Sequence, residues 1–202
     1  MDWSVLHALN DFLYSHDGFE DPLLFYVNAS EALFAATLAV IFFVASGARH
    51  VAWRRAAVAA ALSTGLALAI GKAIAELVDR ARPFVSDAHG VHLFAAHSAD
   101  PGFPSDHATA SFAIATAIFL RNRRWGLVAL IAAAVLSVGR VAIGVHFPSD
   151  VLAGAALGAA VAIALWARPL RDRVDALSDW LGGHWDRALG WGAGLVGLSW
   201  RP

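Results

Sequence analysis

Five long apolar stretches constrain this chain more than anything else in it. They run from about Tyr26 to Gly47, Ala56 to Val78, Ser105 to Leu120, Trp125 to Val145 and Pro148 to Ala167. A membrane-crossing helix needs roughly 20 apolar residues, and only the third stretch falls slightly short. In lipid every backbone polar group must be satisfied within the protein, so apolar runs of this length become helices. The expected fold is all-α: a polytopic membrane helix bundle of about five transmembrane helices, with small Ala and Gly side chains that let the helices approach closely.

Composition agrees. Of 202 residues, 58% are hydrophobic and only 15% charged, whereas soluble domains carry about a quarter charged residues. The net charge of -1 argues against nucleic acid as a partner. No cysteine is present, which excludes disulfides, thiolate metal sites and cysteine nucleophiles. The first residues are acidic, with no Lys or Arg before Arg49, and do not read as a cleaved signal.

Two amphipathic segments flank the spans. Trp3 to Tyr14 places Trp3, Leu6, Leu9, Phe12 and Leu13 near helical spacing, as in an interfacial helix. The tail from Val174 to Leu198 has Leu177, Trp180, Leu181, Trp185, Ala188 and Leu189 at helical spacing, and the tryptophans at 180, 185, 191 and 200 favour the membrane interface. The chain is read as a single membrane-embedded domain over 1–202, with its core at about 56–167 and a cytoplasmic amphipathic tail over 168–202. Arginines gather at 49–55, 121–124 and 168–173, and short basic connections stay cytoplasmic. The loop from Arg80 to Phe103 and the turn at His146 then face outward.

Arg80, Arg82 and Arg140 lie on that outer side against the charge trend, close to three polar clusters. The first comprises Lys72, Glu76, Asp79, Arg80, Arg82 and Pro83; Glu76 and Arg80 have the order of a helical ion pair. The second is Pro104, Ser105, Asp106 and His107, where backbone N–H groups at a helix start form an anion site. There the Ser105 hydroxyl adds a donor, His107 can protonate a leaving oxygen, and Asp106 is expected to point away from a bound phosphate. The third is Arg140, His146 and Asp150. A carboxylate at 150 can take one imidazole N–H of His146 and leave the other nitrogen free to attack. Arg140 offers a planar fork for phosphate oxygens. His89, His92 and His97 are too loosely spaced to demand a metal, and no cofactor is expected.

These segments resemble the three-part signature of the type 2 phosphatidic acid phosphatase superfamily, K-x6-RP, PSGH and SR-x5-H-x3-D. The departures are Ala75 where the signature lysine falls (Lys72 is one turn earlier), Asp106 for glycine and Gly139 for serine. The strings FPSDHAT (Phe103 to Thr109) and R-x-R-P-F (Arg80 to Phe84) look like the bacitracin-resistance undecaprenyl-diphosphate phosphatases. The resemblance implies a phosphohistidine on His146 supported by Asp150, with His107 as the acid. It gives Arg82, Ser105 and Arg140 the phosphoryl oxygens, and adds Arg80, Asp106 and Lys72 as further candidates. It implies a polyprenyl diphosphate substrate at the outer face of a bacterial plasma membrane, with membrane lipids as surroundings. Phosphatidylglycerol phosphate or phosphatidate is the alternative substrate, and a non-catalytic lipid carrier or scramblase the alternative of another class. A homodimer is compatible with the sequence.

Overall fold

The structure, a computed structural model, describes residues 1–45 and 50–195, with side chains through residue 189. Among these residues there are eight helices and no strand. They are α1 (Asp2–Tyr14), α2 (Asp17–Val44), α3 (Val51–Val78), α4 (Pro83–Ser86), α5 (Asp106–Arg121), α6 (Arg123–Ala142), α7 (Pro148–Trp166) and α8 (Leu170–Leu195). The end of the first expected span at Gly47, together with Arg49, Leu198 and Trp200, lies outside the described residues, as does the side chain of Trp191.

Among the described residues four segments are long and apolar enough to cross a membrane: α2, α3 with its continuation through α4, α6 and α7. The third expected span is α5, a helix of 16 residues, or about 24 Å at 1.5 Å per residue. It occupies the middle of the bundle, where Ala108, Ala113 and Ala115 are fully buried. The lipid-facing belt is carried by its neighbours, on which Phe25, Leu33, Val40, Leu66, Val128 and Leu152 are exposed.

The seam between α5 and α7 determines the site. A Cβ on Gly154 would stand 2.5 Å from the Ser105 carbonyl oxygen, and one on Gly158 would collide with the Thr109 carbonyl. Two missing side chains on one face of α7 thus let the α5 backbone lie against it, as small residues do in membrane bundles. Ser105 N–H then donates to the Asp150 carbonyl at 3.0 Å, locking the two helix starts together.

Two X–Pro steps and a glycine turn shape the polar end. α3 stops where Asp79 adopts a left-handed conformation (φ 44°), and Arg82 is extended before Pro83. α6 stops in a turn through Gly144 (φ 84°), where a Cβ would meet the His92 carbonyl at 2.7 Å. Phe147 is extended before Pro148 at the first turn of α7. Proline forces its predecessor out of helix and suits a helix start, so Arg82 and His146 stand at helix boundaries.

α1 is fastened across this end. Its Leu6 and Leu13 are buried, and Asn10 Nδ2 donates to the His92 and Ala142 carbonyls at 2.8 Å each. At the opposite end α8 is held by ion pairs. Arg54 forks onto Asp186 at 3.0 and 2.9 Å, Arg55 onto Asp179 at 2.9 and 2.6 Å, and Arg121 meets Asp175. Arg54 and Arg55, read as loop residues, belong to the first turns of α3.

Candidate active site

A cavity of about 660 Å³ opens at the polar end. It brings together Arg82, His107, Arg140 and His146, drawn from four separate segments, and also Asp106 and Lys72. Ser105 and Asp150 stand behind His146 and the start of α5.

His146 is 2% exposed, and its ring is fixed by its neighbours. Nδ1 lies 3.0 Å from the Gly102 carbonyl, which can only accept, so the proton is on Nδ1. Nε2 is therefore the bare nitrogen, and it accepts from Arg82 Nη1 at 3.2 Å. Burial, and after it the Arg140 and Arg82 guanidiniums, hold the imidazole well below its ordinary value, hence neutral. A neutral imidazole with one nitrogen pinned and the other facing a guanidinium is poised as a nucleophile toward an anionic electrophile.

The expected contact from Asp150 takes a different form. Its Oδ2 is 3.6 Å from His146 Nδ1 and instead accepts Phe147 N–H at 2.8 Å. Its Oδ1 accepts from Arg80 Nη1 at 2.8 Å. The carboxylate, fully buried, is a strut joining the first turn of α7 to the segment after α3. The Gly102 carbonyl fixes the His146 tautomer in its place.

Arg80 does not line the cavity. Its Nη1 bonds Ser149 Oγ at 2.6 Å and Asp150, its Nη2 bonds Asp2 at 2.9 Å, and the guanidinium lies 4.3 Å from the Phe147 ring centroid. Those donors are committed to protein oxygens, so the role assigned to Arg80 as a phosphate ligand is not supported. The helical pair Glu76–Arg80 is absent because α3 has already ended at Val78. Asp2, read only as one of the acidic residues at the N-terminus, completes this cluster: its carboxylate also takes Ser149 N–H at 3.2 Å. Burial pushes the Asp2 carboxyl up, but bonds from Ser149 and Arg80 outweigh this and hold it below the usual range.

Arg82 and Arg140 are nearly buried. Arg82 is aimed by the Asp100 carbonyl (3.0 Å), the Asp100 carboxylate (3.3 Å) and the Val145 carbonyl (3.1 Å). Asp100 stays ionised below its ordinary value, first through its bond from Ser98 and then through Arg82. Arg140 Nη2 donates to His97 Nε2 at 2.7 Å. Burial, and the neighbouring Arg82 and Arg140, hold His97 below its ordinary value. Arg140 Nε and Ser105 Oγ are buried with no hydrogen-bond partner among the described residues. Ser105 occupies the N-cap of α5 without using its hydroxyl as a cap. Buried polar atoms left open in this way call for an explanation, and a bound tetrahedral anion supplies one.

At the start of α5, Ser105 N–H is spent on Asp150, so the Asp106 and His107 N–H groups remain of the expected anion site. Asp106 faces α3: a Cβ on Gly71 would come within 3.9 Å of its Oδ1. Lys72 lines the cavity although one turn earlier than the signature lysine, and Ala75 lines it too. Gly139, where the signature has serine, lies under α2. A Cβ there would meet Val27 Cγ2 at 2.8 Å and Leu23 Cδ1 at 3.0 Å. His107 Nε2 faces Glu31 Oε1 of α2 at 3.1 Å.

His97, Asp100, Gly102, Glu31 and Asp2 are what the sequence reading missed. Glu31 carried a signal, as the lone charge in an apolar span; the others had none. Among the described residues no group of three or more His, Asp or Glu is gathered so as to hold a metal ion. His92 is drawn off to stack on Tyr14 at 3.7 Å, and His97 to Arg140.

A membrane helix bundle carrying this pocket of arginines and imidazoles is an integral-membrane lipid phosphatase. The chain belongs to the PAP2 superfamily, whose family model matches residues 56–173. It is 30% identical to undecaprenyl-diphosphatase BcrC of Bacillus subtilis over 155 residues, 75% of this chain and 76% of that one. In fold it resembles LpxE of Aquifex aeolicus, with a TM-score of 0.63 and 20% identity over 81% of this chain and 93% of that one. It likewise resembles a PAP2-type phosphatidylglycerolphosphate phosphatase of B. subtilis, with a TM-score of 0.60 and 19% identity, covering 81% and 83%.

Proposed function

We propose that this protein hydrolyses undecaprenyl diphosphate to undecaprenyl phosphate through a phosphohistidine on His146, at the outer face of a bacterial plasma membrane. The observation that carries the chemistry is the bare Nε2 of His146 beside Arg82, in a cavity shared with Arg140 and His107. Nε2 attacks the terminal phosphorus, the bond to the bridging oxygen breaks, and His107 supplies a proton to that oxygen. Arg82, Arg140, Ser105 and the N–H groups at the start of α5 hold the charge that develops on the phosphoryl oxygens. Asp150 keeps the His146 turn in place. Water then attacks the phosphohistidine, with His107 taking its proton, and phosphate leaves.

A lipid substrate is supported by what adjoins the cavity. An apolar groove of about 380 Å³ shares Glu31, Leu68, His107 and Ala110 with it, and continues along Phe34, Leu38, Ala61 and Ile114 between α2, α3 and α5. Phe34 and Ile114 also line a further apolar cavity of about 600 Å³ nearer the α8 end. An alkyl or isoprenoid chain fits such a path, and the similarity to an undecaprenyl-diphosphatase favours the isoprenoid. The outward orientation rests on the arginines of the opposite end, since basic connections remain cytoplasmic.

A panel of purified lipid phosphates tests the substrate. Undecaprenyl diphosphate is expected to have the highest kcat/KM; faster turnover of phosphatidate or phosphatidylglycerol phosphate would overturn that choice. Hydrolysis is expected to survive EDTA and to be blocked by vanadate. A cysteine replacing the exposed Ala88 is expected to react with an impermeant thiol reagent in intact cells, and protection until lysis would reverse the orientation.

A further inference from the structure

We infer that Glu31 is a positioning residue that orients His107 through Nε2 and offsets the charge its ring takes on when protonated inside an arginine-lined pocket, so that it can protonate the leaving oxygen. This rests on the reading of His107 as general acid. A general acid must hold its proton before the bond to phosphorus breaks. His107 shares its cavity with the guanidiniums of Arg82 and Arg140 and the ammonium of Lys72, all of which oppose an imidazolium. The imidazoles of His97 and His146 add no negative charge. Among the carboxylates of the cavity, Asp100 is engaged by Arg82 and Ser98, while Asp106 and Glu76 lie on α5 and α3 beyond ion-pair distance of His107. Glu31, 3.1 Å from His107 Nε2, is the one described carboxylate close enough to stabilise the charged ring.

Its placement is specific. Glu31 is the lone acid in the apolar part of α2, a helix that buries only Val27 and Ser30. A charge at membrane depth is costly and normally has a partner or a function. Val27 sits on Gly139, and Glu31 follows one helical turn later on the same face. The residue beside Arg140 thus fixes the register that delivers Glu31 to His107. As His146 Nε2 bonds to phosphorus, the electron pair of the breaking bond stays on the leaving oxygen. The imidazolium gives that oxygen one ring proton and becomes neutral, while Glu31 remains a carboxylate. When water attacks the phosphohistidine, His107 recovers a proton and Glu31 again offsets its charge.

The test compares phenyl phosphate, whose phenolate leaves poorly without a proton, with p-nitrophenyl phosphate, whose leaving group needs none. With purified full-length protein, Glu31→Gln is expected to lower kcat/KM at least about tenfold on the first and under about threefold on the second. Glu31→Asp is expected to restore most of the loss. His107→Ala is expected to show the same split more strongly, and adding Glu31→Gln to it to do no further harm. Equal losses on both substrates, no loss at all, or additivity with His107→Ala would overturn the proposal for Glu31. A split for His107→Ala without one for Glu31→Gln condemns Glu31 alone. No split for His107→Ala removes the general-acid reading, and the proposal with it.

Discussion

The two ends of this bundle handle arginine in opposite ways. At the α8 end Arg54, Arg55 and Arg121 each meet a carboxylate of α8. At the cavity end Arg140 has no carboxylate within ion-pair distance among the described residues and bonds a neutral imidazole instead. Arg82 has a single carboxylate, that of the largely exposed Asp100. Charges neutralised by the protein hold helices together, whereas charges left under-neutralised in a buried pocket are reserved for a ligand that brings its own negative charge. Arg80 belongs by position to the cavity end and by chemistry to the other, because Asp2 and Asp150 have already claimed it.

Substitutions at the two ends should therefore separate activity from stability. His146→Ala is expected to lower kcat on a lipid phosphate at least about 10,000-fold while leaving the melting temperature nearly unchanged; residual turnover within tenfold would remove the nucleophile. Arg140→Ala is expected to cost about 100- to 1,000-fold in kcat, again with little loss of stability. Across the molecule, Asp186→Asn strips the buried Arg54 of its partner. About 2 kcal/mol of stability should go, read by thermal unfolding in detergent, with kcat unaltered. A fall in kcat as large as the Arg140 effect would erase the distinction between the ends.

A smaller effect concerns pH. His146 is neutral in the folded protein, below its ordinary value of 6.5. The unfolded chain takes up that proton below about pH 6.5 and the folded chain does not, so acid favours unfolding. Melting temperature should fall between about pH 7 and pH 5, and His146→Gln should flatten that slope. An unchanged slope would mean that the ring is not held neutral. Smallest of all, Asp179→Asn at the exposed Arg55 pair should cost less than about 1 kcal/mol.

Much of this was legible in the sequence, for physical reasons that can be named. The start of α7 fell at Pro148, where the fifth apolar stretch begins, because proline in a first helical turn is a local signal. Arg82, His107, Arg140 and His146 were found because each stands in a motif at a helix boundary. The residues that aim them were not. Asp100 and Gly102 lie in a loop whose course depends on contacts with Arg80, Arg82 and His146, and no periodicity encodes such contacts. Asp150 was given a direct bond to His146 from spacing alone, but spacing could not foresee that a carbonyl 44 positions earlier in the chain would take that N–H. The acids of α8 were missed for a related reason: attention to its apolar face hid the three aspartates that select its docking surface.

Gly139 carries a warning for anyone who would repair this enzyme toward its family average. Judged by the family signature alone, the missing hydroxymethyl group is a defect to be filled. In the folded chain that absence is the socket for Val27, and through Val27 it sets the seating of a whole helix. Gly139→Ser would push α2 outward and draw the Glu31 carboxylate away from the cavity, so an apparent correction would be felt two helices from where it was made.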